Sequence, residues 1–332
     1  MLSVWGILLV CLGHSGFEEP IIRDSLSGLH SWIYSFHMPL FFLISGYLFS
    51  LTNKSFVDID PGKFLKKKVL RLLVPYVVLG TVIYGIKYVF SSFSHADRDW
   101  SVGNFFKMFV APSCEGSTMG YLWYVITLFV VFVLVVAMSK MRIDFKKVGW
   151  CIVVMAAAWV FAFMGPKVEW LNFKAVCNYL PYFLLGILYF RYESGIKRFV
   201  EWGGQLGLVV SIVLTIVLTI YALPLPGWTM VIMRALVGLL MSVQLCSMLL
   251  KSEWVQKYIL PTSKYTYSIY LLSWFSQYAV KVALMDIMHI HWAIAVVAMF
   301  VAQVVVSIMV CMIVDKVEWL GNKKWLRLII GY

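Results

Sequence analysis

The sequence predicts an all-α, polytopic membrane protein with about ten transmembrane helices, because of its composition and the spacing of its apolar runs. Of its 332 residues, 62% are hydrophobic and only 13% are charged. An ordinary soluble domain has roughly 25% charged residues. A helix that crosses a bilayer uses about 20 apolar residues, so ten helices take up roughly 200 residues and leave short connections. This composition excludes a water-soluble globular protein.

Apolar stretches between clusters of charged residues define the predicted spans. They cover residues 2–16, 31–51, 69–91, 120–138, 148–165, 175–191, 204–222, 229–250, 265–285 and 292–314. The first stretch lacks the basic start and small-residue cleavage site of a signal peptide and leads directly into a second span, so we interpret it as a membrane helix. No internal repeat divides the chain, which favours a single membrane domain over residues 1–332.

The distribution of basic residues predicts the orientation. Most of the 28 Lys and Arg residues fall in segments 52–68, 139–147, 192–203, 251–264 and the tail from 315, or flank them as Arg71 and Arg191 do. Basic residues accumulate on the cytoplasmic side, so both termini are predicted to be cytoplasmic. The net charge of +12 is then a sign of orientation, and no nucleic-acid partner is expected. The long outer connection, 91–120, is expected to lie along the membrane surface.

Two histidines lie within the predicted spans. His14 ends the first span and His37 lies in the second. At 1.5 Å per residue, His14 is ~18 Å from Leu2 and His37 is ~21 Å from Leu51, so neighbouring antiparallel helices hold the two imidazoles at similar depth. An ionisable group in a membrane should face protein or a wet cavity. Because imidazole exchanges protons near neutral pH, the pair favours acid–base chemistry. The alternative is a structural hydrogen bond across helices.

Three further polar residues are candidates for supporting roles. Arg234 interrupts the eighth span and either binds an anion or extends to the interface beside Trp228. Glu18 closely follows His14 and either orients its ring or is simply solvated. Tyr124 either donates a hydrogen bond into a cavity or anchors the helix at the interface.

A basic cluster begins the third span. The cluster consists of Lys63, Lys66, Lys67, Lys68 and Arg71. It either pairs with phosphate oxygens, for which Lys66, Lys67 and Arg71 are the predicted residues, or marks the cytoplasmic side and contacts anionic lipids. His289 and His291 form an HxH pair without a third ligand apart from Asp286, so no metal site is predicted.

Six strings follow one another between Leu8 and Gln277: LLVCLGHSG, FHMPLFFLISGYLF, KKKVLRLLVPY, YLWYV, YFLLGILYFR and YTYSIYLLSWFSQ. Together they resemble acyltransferase family 3, and within it the branch of fucose 4-O-acetyltransferases and capsular-polysaccharide O-acetyltransferases. The block HMPLFFLISGYLF is the most specific of them. The resemblance covers most of the chain.

The resemblance implies an integral membrane enzyme with about ten helices in a bacterial inner membrane. Such enzymes usually move an acetyl group from cytoplasmic acetyl-CoA, the donor, to a hydroxyl of an envelope glycan or lipid-linked sugar. His14 and His37 match the family's histidines, and Arg71 matches the basic residue before Pro75 and Tyr76. The predicted partners are therefore acetyl-CoA, the sugar and membrane lipids, while a homo-oligomer stays open.

Two positions depart from the family pattern. The family has a basic residue eleven positions before the first histidine, where this chain has Ser3. In the last string the family commonly has a histidine directly after IYLL. This chain has Ser273 there, which we expect to be non-catalytic. The first departure raises the question of which cation replaces the missing one.

The predicted mechanism combines these residues. Coenzyme A places its phosphates on the basic cluster, and His14 acts as general base or carries the acetyl group itself. His37 orients His14 or shares its proton. The predicted oxyanion or acceptor support comes from Arg234, Tyr124 and Glu18.

Two other functional classes fit the same polar groups. A transporter or flippase of lipid-linked saccharides would use buried polar residues to bind its cargo without acyl transfer. The sequence lacks the inverted repeat and the acidic proton relay typical of such carriers. The third interpretation is a membrane sensor with an acyltransferase-like body.

Overall fold

The computed structural model describes residues 1–53, 56, 58–89, 100–114, 117–141, 143–145, 147–166, 168–221, 224–317 and 324–331. These residues form helices and connections, with no β-strand among them. Several charged residues used in the orientation argument and in the predicted outer connection lie outside this part of the chain: Lys54, Asp97, Arg98, Asp99, Glu115, Arg142, Lys146, Lys167 and Lys323.

The described helices follow one another as α1 (Leu2–His14), α2 (Pro20–Ser25), α3 (Ser27–Thr52), α4 (Pro61–Lys68), α5 (Val74–Val89), α6 (Val102–Val110), α7 (Trp123–Lys140), α8 (Val148–Met164), α9 (Phe173–Arg191), α10 (Glu193–Ile220), α11 (Gly227–Leu249), α12 (Thr266–Lys281), α13 (Trp292–Lys316) and α14 (Lys324–Ile329). A π-helical turn, Val69–Leu73, joins α4 to α5, and another, Val282–Ile287, extends α12.

Each predicted span coincides with a helix, which confirms the all-α membrane fold. Seven helices of the described chain are long and apolar enough to cross a membrane, counting Pro61–Val89 as one. The remaining three, α1, α8 and α12, have 13, 17 and 16 residues. The number of crossings and the cytoplasmic side of the termini stay predictions.

The helix that contains the seventh predicted span, 204–222, begins before that span. Helix α10 starts at Glu193 and not near residue 204. At Gly204 the backbone has φ +51° and breaks the regular helix between its polar first part and its apolar remainder. Glycine tolerates this left-handed conformation because it lacks a Cβ atom.

Helices α3 and α9 approach each other at two glycines. A Cβ atom on Gly46 would lie 1.9 Å from the carbonyl oxygen of Phe183, and one on Gly186 would lie 2.0 Å from that of Leu43. Small residues at a membrane helix interface allow such close backbone approach. This contact fixes α3, the helix that carries His37.

Helix α6 runs alongside α5 toward the interior. Tyr84 donates a hydrogen bond to the Trp100 carbonyl oxygen at 3.0 Å. Tyr76, two turns earlier on α5, donates to the Phe109 carbonyl oxygen, also at 3.0 Å. The two contacts are separated by about 12 Å along α5. The described part of 91–120 therefore follows α5 over this distance before it turns back, and its place relative to the membrane surface stays a prediction.

The return segment lies largely inside the protein. Thr118, Met119, Tyr121 and Leu122 are buried. Irregular backbone at membrane depth is tolerated only where protein or a water-filled cavity surrounds it. This segment brings Tyr121 to the interior of the bundle.

We predict that Gly46→Ala lowers the thermal stability of the purified protein in detergent. The added methyl group must push α3 away from α9, and overpacking of this kind costs about 1–3 kcal/mol. The matched control is Gly85→Ala in α5, where an added Cβ meets no atom within 4 Å. Equal melting temperatures for the two variants would contradict the close approach.

Candidate active site

The end of α1 borders a small cavity. His14 is the last residue of α1, and its side chain lines a space of about 290 Å³, here called the histidine cavity. Glu18, Tyr34, Tyr121 and Gln277 line it as well. Aromatic rings and a few polar groups thus surround the imidazole. The cavity lies at the end of the bundle predicted to face outward.

Two tyrosines contact the His14 ring. Tyr34 Oη lies 3.4 Å from His14 Nδ1, at the long end of hydrogen-bond distance. The Tyr121 ring meets the imidazole edge to face, with the centroids 5.0 Å apart. Glu18 lines the cavity four residues beyond His14, as its predicted supporting role requires.

The His37 ring contacts the Tyr34 ring on the same helix, α3. The His37 side chain is 1% exposed and its Nδ1 atom is 2.9 Å from the Ile33 carbonyl oxygen. Because a carbonyl only accepts, Nδ1 must carry the hydrogen. The Tyr34 ring lies 4.6 Å from His37 and 6.0 Å from His14, measured between centroids. The structure therefore brings both histidines to one tyrosine, but only His14 is among the residues that line the histidine cavity.

A larger cavity occupies the opposite end of the same helices. It has a volume of about 840 Å³ and is here called the basic cavity, because Lys68, Arg71, Lys197 and Lys264 line it. The Lys68 ammonium lies 3.9 Å from the centroid of the Phe132 ring. Cation–π contact of this kind holds the ammonium at the cavity wall.

Lys66 and Lys67 lie elsewhere on α4. Both side chains are exposed, and neither is among the residues that line the basic cavity. Of the predicted acyl-CoA-binding residues, the structure places only Arg71 in the cavity. Lys68, a further member of the basic cluster, lines the cavity beside Arg71.

Tyr124 and Ser3 also line the basic cavity. The Tyr124 hydroxyl hydrogen-bonds the Ser45 hydroxyl at 3.0 Å. Tyr124 is thus not among the residues that surround His14. Ser3, where the family pattern has a basic residue, shares this cavity with Lys68 and Arg71.

Arg234 is used in helix packing. Its Nε atom donates a hydrogen bond to the Leu218 carbonyl oxygen at 2.6 Å and so links α11 to α10. Arg234 is not among the lining residues of either cavity. The structure does not bring it to His14.

One helical turn separates the two cavities. On α1, Val10 lines the basic cavity and His14 the histidine cavity. The same four-residue step occurs on α3, from Met38 to Tyr34. It occurs again on α12, from Tyr270 to Trp274. Four residues of helix rise about 6 Å, so on each of these helices the residues that line the two cavities are about 6 Å apart along the helix axis.

A pair of tyrosines completes this wall. The rings of Tyr121 and Tyr270 stack with centroids 5.5 Å apart. Tyr270 donates a hydrogen bond to the Tyr121 carbonyl oxygen at 2.8 Å, and the hydroxyls of Tyr121 and Ser273 hydrogen-bond each other. Since Tyr121 lines one cavity and Tyr270 the other, the stack is a boundary shared by both.

Tyr34, Tyr121 and Gln277 were not predicted from the sequence, and Lys68 was predicted only as a member of the basic cluster. Lys68 had a usable signal, because it lies three residues before Arg71 and therefore on the same helix face. Tyr34 lies three residues before His37 and is therefore also on the same helix face as that histidine. Tyr121 and Gln277 had none, since their positions depend on the return of the α6 segment and on the packing of α12. Among the described residues, no group of three or more His, Cys, Asp or Glu is arranged to hold a metal.

We predict that the two cavities open to opposite sides of the membrane. In a variant whose six cysteines are replaced, Ser117→Cys tests the histidine cavity and Ser247→Cys the basic cavity. A membrane-impermeant maleimide added to intact cells should label Ser117→Cys, and should label Ser247→Cys only after the membrane is permeabilised. Labelling of both from one side would contradict the two-sided arrangement.

Comparison with known proteins identifies the family. Residues 3–314 match the model of acyltransferase family 3, which is described as an acyltransferase domain. No curated protein and no solved structure matches the chain. Because the family match covers nearly the whole chain, the protein belongs to acyltransferase family 3 and is a multi-pass membrane acyltransferase.

Proposed function

We propose that this protein transfers an acetyl group from cytoplasmic acetyl-CoA to a hydroxyl of a cell-envelope or lipid-linked sugar in a bacterial inner membrane. One observation carries the proposal: on each of α1, α3 and α12, one helical turn separates the basic cavity from the histidine cavity. A donor in the first cavity and an acceptor in the second would meet at His14. The family membership supports acyl transfer as the reaction.

The basic cavity suits a coenzyme A thioester. Its volume, about 840 Å³, lies within the usual ~300–1,000 Å³ of small-molecule sites. Lys68 and Arg71 offer the ammonium and guanidinium groups that pair with phosphate oxygens. We propose that these two residues bind the donor phosphates and supply the charge that Ser3 lacks. Lys66 and Lys67 then act at longer range, from the exposed side of α4.

The contacts of His14 suit a general base. A Tyr34 hydroxyl that accepts a hydrogen bond from Nδ1–H selects the tautomer in which Nε2 is unprotonated. Nε2 then takes the proton of the sugar hydroxyl, whose oxygen attacks the thioester carbonyl carbon. When the tetrahedral intermediate collapses, the carbon–sulfur bond breaks and His14 returns the proton to the CoA thiolate. The products are the acetyl ester and free CoA.

Direct transfer needs both substrates at the histidine together. The two cavities lie on either side of the wall that borders His14, so we propose that the thioester reaches through this wall while the sugar hydroxyl is held in the histidine cavity. When both reactants are held close together, the acetyl group can pass directly between them. An acetyl-histidine intermediate is then not needed. We therefore favour direct transfer over an acetylated His14.

Tyr121 is the best-placed group to support the oxyanion. Its ring touches His14, and its hydroxyl bonds that of Ser273. Ser273 can donate its one hydrogen either to the Tyr270 carbonyl oxygen at 3.4 Å or to Tyr121. In the second arrangement the Tyr121 hydrogen is left for the developing negative charge, an interaction commonly worth roughly 3 kcal/mol of barrier. Arg234 and Tyr124, two of the candidates predicted from the sequence, are not among the residues that line the histidine cavity. Glu18 is left as support on the acceptor side.

We predict that His14→Asn abolishes acetyl transfer without unfolding the protein, because asparagine cannot accept and return the proton. The assay follows labelled acetyl from acetyl-CoA into an extract of envelope sugars, together with CoA release. His289→Asn is the matched control, since His289 is exposed and its φ of +51° suits asparagine.

The same assay separates the enzyme from a carrier. Saccharide movement across the membrane without CoA release would favour the flippase interpretation. Full turnover in His14→Asn would remove the histidine from the catalytic role.

We predict that Lys68→Met raises KM for acetyl-CoA by about tenfold, because a hydrogen bond to a charged group contributes ~1.5–3 kcal/mol. Lys66→Met should raise it less, since its side chain lies outside the cavity. Lys63→Met on the same helix is the control, with a side chain paired to Asp60 in solvent. An equal effect of all three substitutions would point to general surface charge instead of a site at Lys68.

A further inference from the structure

Helix α1 ends inside the bundle, where its last carbonyl groups need partners. The final carbonyls of any helix lack intrahelical donors, and a membrane interior has no water to replace them. Here the carbonyls of Cys11 and His14 accept hydrogen bonds from side chains of α13 and α12. Two glutamines supply these bonds, one from each helix. They add to local donors, since the Cys11 carbonyl oxygen also accepts from the Ser15 hydroxyl at 2.7 Å and that of His14 from the Gly16 N–H at 2.6 Å.

Gln303 is the deeper of the two. It lies eleven residues after Trp292, the first residue of α13, which places it about 17 Å along that helix. Its side chain is 0% exposed. Nε2 donates to the Cys11 carbonyl oxygen at 3.0 Å and to the Ser15 hydroxyl at 2.9 Å.

The orientation of the Gln303 amide follows from its acceptor. A carbonyl oxygen only accepts, so the NH₂ group must face Cys11. The opposite atom, Oε1, has no hydrogen-bond partner within the described chain. A buried acceptor without a partner costs free energy of folding. The Gln303 side chain therefore contributes through its two donated hydrogen bonds.

Gln277 holds the residue that lines the cavity. Its Nε2 atom donates to the His14 carbonyl oxygen at 2.5 Å, and its side chain lines the histidine cavity. One turn later on α12, the Lys281 ammonium pairs with Glu19 at 2.8 Å and with Asp286 at 3.4 Å. Helix α12 therefore holds the chain both at His14 and five residues beyond it.

We propose that Gln277 and Gln303 are positioning residues for His14. Their amides set the depth and direction of the last turn of α1, and so keep the imidazole at the wall between the two cavities. Displacement of a reacting group by about 1 Å can cost 100-fold in rate. The kinetic consequence rests on the proposed acetyl transfer, whereas the effect on the His14 ring does not.

The test compares Gln303→Met and Gln277→Met with a matched control. Gln244→Met removes another buried glutamine of a membrane helix, one that accepts a hydrogen bond from Ser211 at 2.8 Å and lines neither cavity. We expect kcat to fall at least tenfold in the first two variants, with KM for acetyl-CoA within twofold of the unmodified protein. The control should keep both constants within twofold.

A second measurement needs no substrate. Diethyl pyrocarbonate modifies accessible unprotonated imidazoles, and mass spectrometry of the α1 peptide gives the rate for His14. We expect that rate to change at least threefold in Gln303→Met and Gln277→Met, and to stay the same in Gln244→Met. If Gln303→Met fails to fold, Gln277→Met and Gln303→Asn are subjected to both measurements.

The outcomes separate the two proposals. A changed His14 modification rate in a protein that transfers no acetyl group would support positioning and refute the proposed reaction. Unchanged kcat and unchanged modification rate in the folded glutamine variants would overturn the positioning role. So would an equal loss of kcat in the Gln244→Met control, because that pattern indicates general destabilisation.

Discussion

The need to satisfy polar groups inside a membrane governs how this protein holds its histidine. Helix α1 has 13 residues and is therefore about 20 Å long, against a hydrocarbon layer of about 30 Å. Its last turn lies among α3, α12 and α13, where the exposed carbonyls need donors from protein. The side chains that supply those donors also fix where the imidazole lies. Local helix termination and site geometry thus have one physical cause.

The same helices separate the two cavities. On each of α1, α3 and α12, a residue that lines the basic cavity lies four residues from one that lines the histidine cavity. These residues lie one helical turn apart on one face of each helix. Large polar or charged groups of the two proposed substrates can then stay at opposite membrane faces. Only the reacting atoms need to meet.

Much of the fold was predictable from sequence because hydrophobic length is a strong signal. The predicted spans coincide with helices since every crossing segment must be apolar over its length. The α6 segment escaped prediction because its nine residues are too few for a span, and only its tyrosine partners on α5 show where it goes. The two histidines stood out for the opposite reason, as polar residues in apolar runs.

The supporting residues were harder to predict because a run of like residues does not tell which one faces a cavity. Lys66, Lys67 and Lys68 are adjacent, and successive residues point about 100° apart on a helix. Only Lys68 and Arg71 of this cluster line the basic cavity. Arg234 looked functional because it is charged, but its carbonyl partner lies on the neighbouring helix. Such partners depend on tertiary packing.

The most direct test of the account is a structure of the protein with a non-hydrolysable acetyl-CoA analogue, determined by cryo-electron microscopy in a lipid nanodisc. The account predicts phosphate density beside Lys68 and Arg71 and the acetyl carbonyl carbon within about 4 Å of the His14 ring, the reach of a near-attack geometry. An acetyl group that ends more than one helical turn from His14, or a nucleotide bound outside the basic cavity, would contradict it.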